Sequence, residues 1–151
     1  MALNILHTAQ AKSVGGRDGR ITTHDDVLSL ELTMPRHLGG RAREGATNPE
    51  QLFAAGYAAC FGNAVILVAR QEKLDAGTIS VNAKVDLGLD TEKLPTLAVV
   101  LHANLPGLTQ AQAEDVVAKA HHVCPYSRAT RGNIDVQLSV TTEPVAEEVA
   151  V

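Results

Sequence analysis

The feature that most constrains this fold is a long apolar stretch over residues 52–69, where Asn63 is the only strongly polar side chain. Pro49 and Glu50 precede the stretch and suit a first helical turn, because a missing N–H costs nothing there and a negative charge is favoured. The pattern predicts a helix over residues 49–72. A helix without a charged face must be covered on all sides, so we expect a second copy of this 151-residue chain to complete its burial in a homodimer.

The segments around this helix predict strands on both sides of it and a second helix. Period-two alternation and turn signals predict five strands, at residues 4–14, 27–33, 78–89, 94–105 and 133–142. The Gly-rich segment 15–21 joins the first two strands in a hairpin. Thr109 caps the second helix, which ends near Val123 because Pro125 cannot continue it. This order predicts an α+β fold, with antiparallel sheets wrapped around buried central helices in an intertwined homodimer.

Length and charge limit the domain organisation and the classes of partner. We expect a single domain over residues 1–142 and a disordered acidic tail over residues 143–151. A net charge of −4 and a pI near 5.8 give no general attraction to nucleic acid. The start of the chain lacks the pattern of a secretory signal, and we expect no apolar run long enough to span a membrane. The sequence therefore predicts a cytoplasmic protein with neither nucleic-acid nor membrane partners.

The two cysteines, Cys60 and Cys124, are the candidates for chemistry. A permanent disulfide is disfavoured in a reducing compartment, which leaves a cycling pair, a pair of inert core thiols, and zinc held together with His121 and His122 as alternatives. Burial on an apolar helix raises the pKa of a thiol, and the start of the helix lies too far from Cys60 to lower it. A reactive Cys60 therefore needs a nearby cation. The candidate cations are Arg17, Arg20, Arg41, Arg43, Arg128 and Arg131.

Three stretches of the chain together resemble one known family. They are "TNPEQLFAAGYAACF", "HHVCPYSRATRGNIDV" and an earlier "GGRDG". In this order they resemble the organic hydroperoxide resistance (Ohr) branch of the OsmC/Ohr family, over nearly the whole chain to about residue 140. The resemblance implies that family's fold and an antioxidant peroxidase of the oxidative stress response that reduces organic hydroperoxides with thiols.

The resemblance also assigns roles to four residues. It implies that Cys60 is the peroxidatic cysteine, that Cys124 is the resolving cysteine, that Arg17 activates Cys60, and that Glu50 holds Arg17. A planar guanidinium would favour the thiolate and bind the peroxide, and a carboxylate would neutralise and orient the arginine. No bound cofactor or metal is implied. The family's usual reductant is a dithiol, a lipoyl group carried on another protein.

Other readings of the same residues stay open. A cysteine hydrolase would pair Cys60 with His121 or His122 as the base, and a redox sensor would form the same disulfide without turning over. Asn63 lies one helical step from Cys60, where the family commonly has other residues, so it either reaches the thiol or makes a structural contact. The departure of residues 89–97 from the family pattern leaves the preferred peroxide undetermined. An apolar pocket lined by Phe53, Tyr57 and Phe61 is an alternative to plain core packing.

The positions of Glu50 and Cys60 on one helix sharpen the dimer hypothesis. Ten residues separate them, which is roughly 15 Å along a helix and too far for one arginine to serve both easily. If two copies of the helix crossed antiparallel near Ala55, Glu50 of one copy would lie near Cys60 of the other. The small residues of this stretch would permit that close approach.

Overall fold

The computed structural model describes residues 2–145, and these divide into two compact units, residues 2–52 and residues 53–145. Residues 146–151 of the predicted acidic tail lie outside the described residues. Glu143, at the start of the predicted tail, forms two hydrogen bonds with Asn104. Its backbone N–H donates to Asn104 Oδ1 at 3.0 Å, and its carbonyl oxygen accepts from Asn104 Nδ2 at 2.9 Å. The predicted boundary of the domain at residue 142 stays a prediction.

The first unit holds a three-stranded antiparallel sheet in the order β1 (Ala11–Val14), β2 (Arg20–Thr23) and β3 (Ser29–Glu31). The sequence predicted one hairpin of two longer strands, which is wrong in two respects. The strand β2 lies partly within the predicted turn, and β1 covers only the end of residues 4–14, because β2 offers it four pairing partners. A 3-10 turn at Gly16–Asp18 reverses the chain tightly enough to leave room for β2.

The tightness of this reversal depends on Gly19. A Cβ atom built there would lie 1.7 Å from the carbonyl oxygen of Val14, so any other residue would force the backbone apart. Gly15 at the start of the turn has a φ of +78°, a left-handed conformation that glycine adopts without strain. The two glycines thereby fix the position of Arg17, which the turn carries.

The predicted central helix is confirmed as α1 (Pro49–Gln71). Asn48 caps it, since its Oδ1 accepts from the backbone N–H of Gln51 at 2.9 Å. In length and composition α1 is able to cross a bilayer, which corrects the expectation that no apolar run was long enough. A core helix of a globular protein passes the same test, and Tyr57 and Phe61 of α1 are fully buried.

One face of α1 remains exposed in the single chain. Along this face Ala55, Ala59 and Asn63 are exposed, and Ile66 and Leu67 keep 37% and 48% of their surface. The complete burial predicted for this helix is therefore not reached within one chain. The second copy that was expected to supply the missing cover stays a prediction.

The second unit contains a mixed sheet and two further helices. The strands β4 (Ser80–Leu89) and β5 (Pro95–Asn104) form the predicted antiparallel hairpin. The last strand, β6 (Val136–Thr141), runs parallel to β5, which corrects the prediction of purely antiparallel sheets. Parallel neighbours need a long crossover, and here the helices between β5 and β6 provide it.

These crossover helices are α2 (Gln110–Val123) and α3 (Pro125–Thr130). Thr109 caps α2 as predicted, and with Gln112 it forms a complete capping box. The sequence did not predict α3, because Pro125 ends α2 and also suits the first position of a new helix. Cys124 lies between the two helices, with a φ of −58° and a ψ of 126°.

The core of the second unit lies between its sheet and its helices. Val99, Leu101 and Ala103 alternate along β5 toward this core and are at most 1% exposed. Buried residues of the helices meet them, namely Tyr57, Phe61, Val65, Val116, Val117, Ala120 and Cys124. An α+β fold with two small sheets and central helices is thus confirmed.

Candidate active site

The two cysteines lie side by side in the second unit. Their Sγ atoms are 3.7 Å apart, and both thiols are free. Cys124 is fully buried, whereas Cys60, near the middle of α1, is partly accessible. A disulfide requires an S–S distance of about 2.05 Å, so a modest approach of the two side chains would join them. Cys60 is therefore the thiol that a reagent from solvent can reach, and Cys124 is the buried thiol next to it.

The bend between α2 and α3 holds Cys124 in place. The backbone N–H of Cys124 donates to the carbonyl oxygen of Ala120 at 2.8 Å, and its own carbonyl oxygen accepts from the backbone N–H of Arg128 at 2.9 Å. The backbone of Cys124 therefore ends one helix and begins the next. Its thiol faces α1 from this fixed corner.

The surroundings of Cys60 determine the pKa of its thiol. Burial raises this pKa above the ordinary value of a cysteine, the backbone N–H of Tyr126 acts in the opposite direction, and the neighbouring Cys124 raises it further. The net direction is upward, as expected for a thiol on an apolar helix. This upward shift of the Cys60 pKa is opposite to the direction that activation by Arg17 predicts.

In the first unit, Arg17 and Glu50 form a two-pronged ion pair. Arg17 Nη1 donates to Glu50 Oε2 at 2.8 Å, and Arg17 Nη2 donates to Glu50 Oε1 at 2.5 Å. The side chain of Glu50 is 16% exposed and that of Arg17 is 34% exposed. The hydrogen bonds from Arg17 hold the pKa of Glu50 below its usual value, and those to Glu50 raise the pKa of Arg17. The carboxylate therefore orients the guanidinium, as in other forked pairs.

Three of the other candidate cations, Arg20, Arg43 and Arg131, form hydrogen bonds with other residues of the chain. Arg20 bonds Glu31 and Ser29, and Arg43 Nη2 donates to the carbonyl oxygen of Leu32 at 2.7 Å. These contacts tie the strands and the long loop of the first unit together. In the second unit, the guanidinium of Arg131 donates to the carbonyl oxygen of His121.

The zinc and hydrolase alternatives both involve His121. Among residues 2–145, no group of three or more His, Cys, Asp or Glu side chains is arranged to hold a metal ion. The Nδ1 atom of His121 lies 2.9 Å from Ser127 Oγ, so this ring nitrogen is bonded to a hydroxyl group rather than to either thiol. Burial, and next the charge of Arg131, lower the pKa of His121.

Sequence reasoning missed Ser127, which lies at the centre of a buried polar group. Its Oγ is 2.9 Å from Tyr57 Oη, and Tyr57 Oη is also 3.2 Å from Thr130 Oγ1. Ser127 and Tyr57 are fully buried. No local pattern could have paired these residues, because 70 positions separate Tyr57 from Ser127.

Aromatic side chains of α1 and α3 form a cluster, although not in the set that the sequence suggested. The ring centroids of Phe53 and Tyr57 are 5.9 Å apart, and Tyr126 lies 6.3 Å from Phe53 and 5.7 Å from Tyr57. Gly56 leaves space for this packing, since a Cβ atom there would lie 3.1 Å from Tyr126 Oη. Phe61 packs near His121 instead. Asn63 is exposed on α1.

Comparison with known proteins places this arrangement in a family. The model of OsmC-like proteins matches residues 40–139. An organic hydroperoxide resistance protein of Xanthomonas axonopodis pv. citri is 48% identical over 140 residues, which cover 90% of this chain and 95% of that protein. Organic hydroperoxide resistance protein OhrA of Bacillus subtilis is 48% identical over 136 residues, which cover 89% of this chain and 96% of that protein.

A solved structure agrees with these sequence relatives. The crystal structure of an organic hydroperoxide resistance protein from Legionella pneumophila superposes with a TM-score of 0.86 at 54% identity, covering 91% of this chain and 99% of that one. The matches extend over both units. The chain therefore belongs to the OsmC/Ohr family, in its organic hydroperoxide resistance branch.

Proposed function

We propose that this protein is a two-cysteine peroxidase that reduces organic hydroperoxides to alcohols. The observation that carries the proposal is the 3.7 Å separation of a partly accessible thiol, Cys60, from a fully buried one, Cys124. This arrangement suits a first thiol that meets the peroxide and a second that captures the oxidised product. The names of the organic hydroperoxide resistance relatives support organic hydroperoxides as the class of substrate.

The proposed cycle has three balanced steps. The Cys60 thiolate attacks the distal oxygen of ROOH and breaks the O–O bond, and the leaving alkoxide takes a proton to become ROH. The resulting Cys60 sulfenic acid then condenses with the Cys124 thiol, which forms the disulfide and releases water. A reduced dithiol, in our proposal a lipoyl group on a partner protein, exchanges with the disulfide and leaves as its own cyclic disulfide. No bound cofactor or metal takes part.

We further propose that Arg17, held by Glu50, supplies the charge that the first step needs. Since burial raises the pKa of Cys60, a cation must favour the thiolate for the attack to be fast. A guanidinium already oriented by a carboxylate is ready to bind both the thiolate and the leaving oxygen. The exposed apolar face of α1 supports a homodimer in which the guanidinium of Arg17 lies near Cys60. The reducible thiol pair suits the cytoplasm.

Turnover measurements test the proposed function. Purified protein with dihydrolipoamide and cumene hydroperoxide should consume peroxide steadily, whereas Cys60→Ser should consume none. Replacement of cumene hydroperoxide by hydrogen peroxide should slow the reaction, because the aromatic cluster favours an apolar substrate. One oxidation per chain without turnover would contradict the enzyme and favour a redox sensor, and a Cys60→Ser variant that retains turnover would refute the role of Cys60.

A further inference from the structure

A buried hydrogen-bonded group of the second unit has no part in the proposed cycle. Ser127 Oγ lies 2.9 Å from Tyr57 Oη on one side and 2.9 Å from His121 Nδ1 on the other. Ser127 and Tyr57 are fully buried, so neither hydroxyl group can exchange its partner for water. Tyr57, His121 and Ser127 are here called the clamp.

Each residue of the clamp lies three positions from a cysteine. Tyr57 precedes Cys60 on α1, and three positions along a helix bring two side chains to the same side. His121 precedes Cys124 at the end of α2, and Ser127 follows Cys124 in α3. The clamp therefore connects α1, close to one thiol, with both sides of the bend that carries the other thiol.

The helix α3 depends on such contacts for its position. It has only six residues, its first turn has no side-chain cap, and a helix this short is not stable by itself in water. The hydrogen bonds of Ser127 tie it to α1 and to α2. The backbone hydrogen bonds of Cys124 and the contact between Tyr57 Oη and Thr130 Oγ1 remain without them, so their loss would loosen the position of the Cys124 side chain relative to Cys60 while the bend itself stays formed.

We propose that the clamp positions Cys124 for its condensation with oxidised Cys60, so that its members are positioning residues for the second step. This inference rests on the proposed function. The sulfenic acid of Cys60 either condenses with Cys124 or reacts with a second peroxide to give sulfinic acid. Displacement of reacting atoms by about 1 Å can slow a reaction up to about a hundredfold, so a looser position of the Cys124 side chain shifts this partition toward sulfinic acid.

Two variants and one matched control test the clamp in the full-length protein. Ser127→Ala and Tyr57→Phe each remove hydroxyl contacts of the clamp and keep the packing. Ser139→Ala is the control, since Ser139 Oγ lies 2.8 Å from His102 Nδ1 and forms the same type of serine–histidine contact in the sheet. Each reduced protein is mixed with increasing cumene hydroperoxide, and intact-mass spectrometry measures the ratio of Cys60 sulfinic acid to disulfide.

We expect this ratio to rise about tenfold in both clamp variants and to stay at the wild-type value in Ser139→Ala. A loss of folding would lower the rate of both oxidation steps, whereas a loss of positioning would leave the reaction of Cys60 with peroxide at its wild-type rate. Stopped-flow measurement of that first step therefore distinguishes the two effects. An unchanged ratio in both clamp variants, with a wild-type protein that forms the disulfide, would overturn the clamp alone. A wild-type protein that forms no disulfide would overturn both the clamp and the proposed function.

Discussion

Replacing Arg17 with alanine should both raise the pKa of Glu50 and destabilise the fold. In the native pair the hydrogen bonds from Arg17 are the largest cause of the lowered pKa of Glu50, and burial is the largest opposing cause. Without Arg17, burial becomes the dominant influence, so the carboxyl group should titrate well above its position in the native protein. The same change removes two charge-assisted hydrogen bonds.

The expected loss of stability follows from the geometry and the exposure of the pair. Hydrogen bonds to charged groups contribute about 1.5–3 kcal/mol each when buried, but Arg17 is 34% exposed and solvent screens the pair. We therefore expect the free energy of unfolding to fall by about 1–2 kcal/mol at pH 7. Because the pKa of Glu50 is lowered in the folded protein, this difference is complete above the ordinary value of 4.5 and disappears as the pH falls through the folded value.

Two measurements check this prediction. Urea unfolding of the wild type and of Arg17→Ala between neutral and acid pH gives the energy difference, and carbon-13 NMR of the Glu50 carboxyl group gives its pKa. Arg20→Ala is the control, because its pair with Glu31 is about half exposed on both sides and should contribute less. An energy difference that persists unchanged in acid, or a Glu50 that titrates at its ordinary value in the wild type, would show that the ion pair with Arg17 does not stabilise the fold in this way.

Three further predictions concern other contacts of the chain. Thr109→Ala should lower the free energy of unfolding by about 1 kcal/mol in urea denaturation, since it removes the cap of α2, and an unchanged midpoint would count against the capping box. Because the pKa of His121 is lowered, wild-type stability should decline as the pH falls below 6.5, and His121→Gln should flatten that decline; an identical pH profile would contradict this. In Cys124→Ser, mass spectrometry should detect Cys60 sulfinic acid at peroxide concentrations where the wild type forms disulfide, and equal resistance would exclude Cys124 as the resolving cysteine.

The central helix could be predicted closely from the sequence because its signals are local. The apolar stretch and its first-turn residues predicted 49–72, and the structure has Pro49–Gln71. The cap of α2 at Thr109 was equally readable. In contrast, β2 and α3 are short, and their formation depends on a tight glycine turn and on tertiary contacts rather than on a periodic pattern.

The parts of the site that join distant segments were the least predictable. The parallel pairing of β6 with β5 depends on the crossover through two helices, which a strand pattern does not reveal. Cys60 and Cys124 were candidates as the two thiols of the chain and a family resemblance assigned their roles, whereas their separation of 3.7 Å comes only from the folded chain. The hydrogen bond between Tyr57 and Ser127 likewise joins residues that are 70 positions apart and left no signal in the sequence.

The disulfide step of the proposed cycle is tested most directly by a peptide map of the protein after one equivalent of organic hydroperoxide. Reduced protein is treated with cumene hydroperoxide, its free thiols are blocked, and its peptides are separated without reductant. The proposed cycle predicts that one cross-linked peptide joins Cys60 to Cys124 within the same chain, in proportion to the peroxide consumed. Peroxide consumption that leaves both cysteines free, or that links cysteines only between different chains, would contradict it.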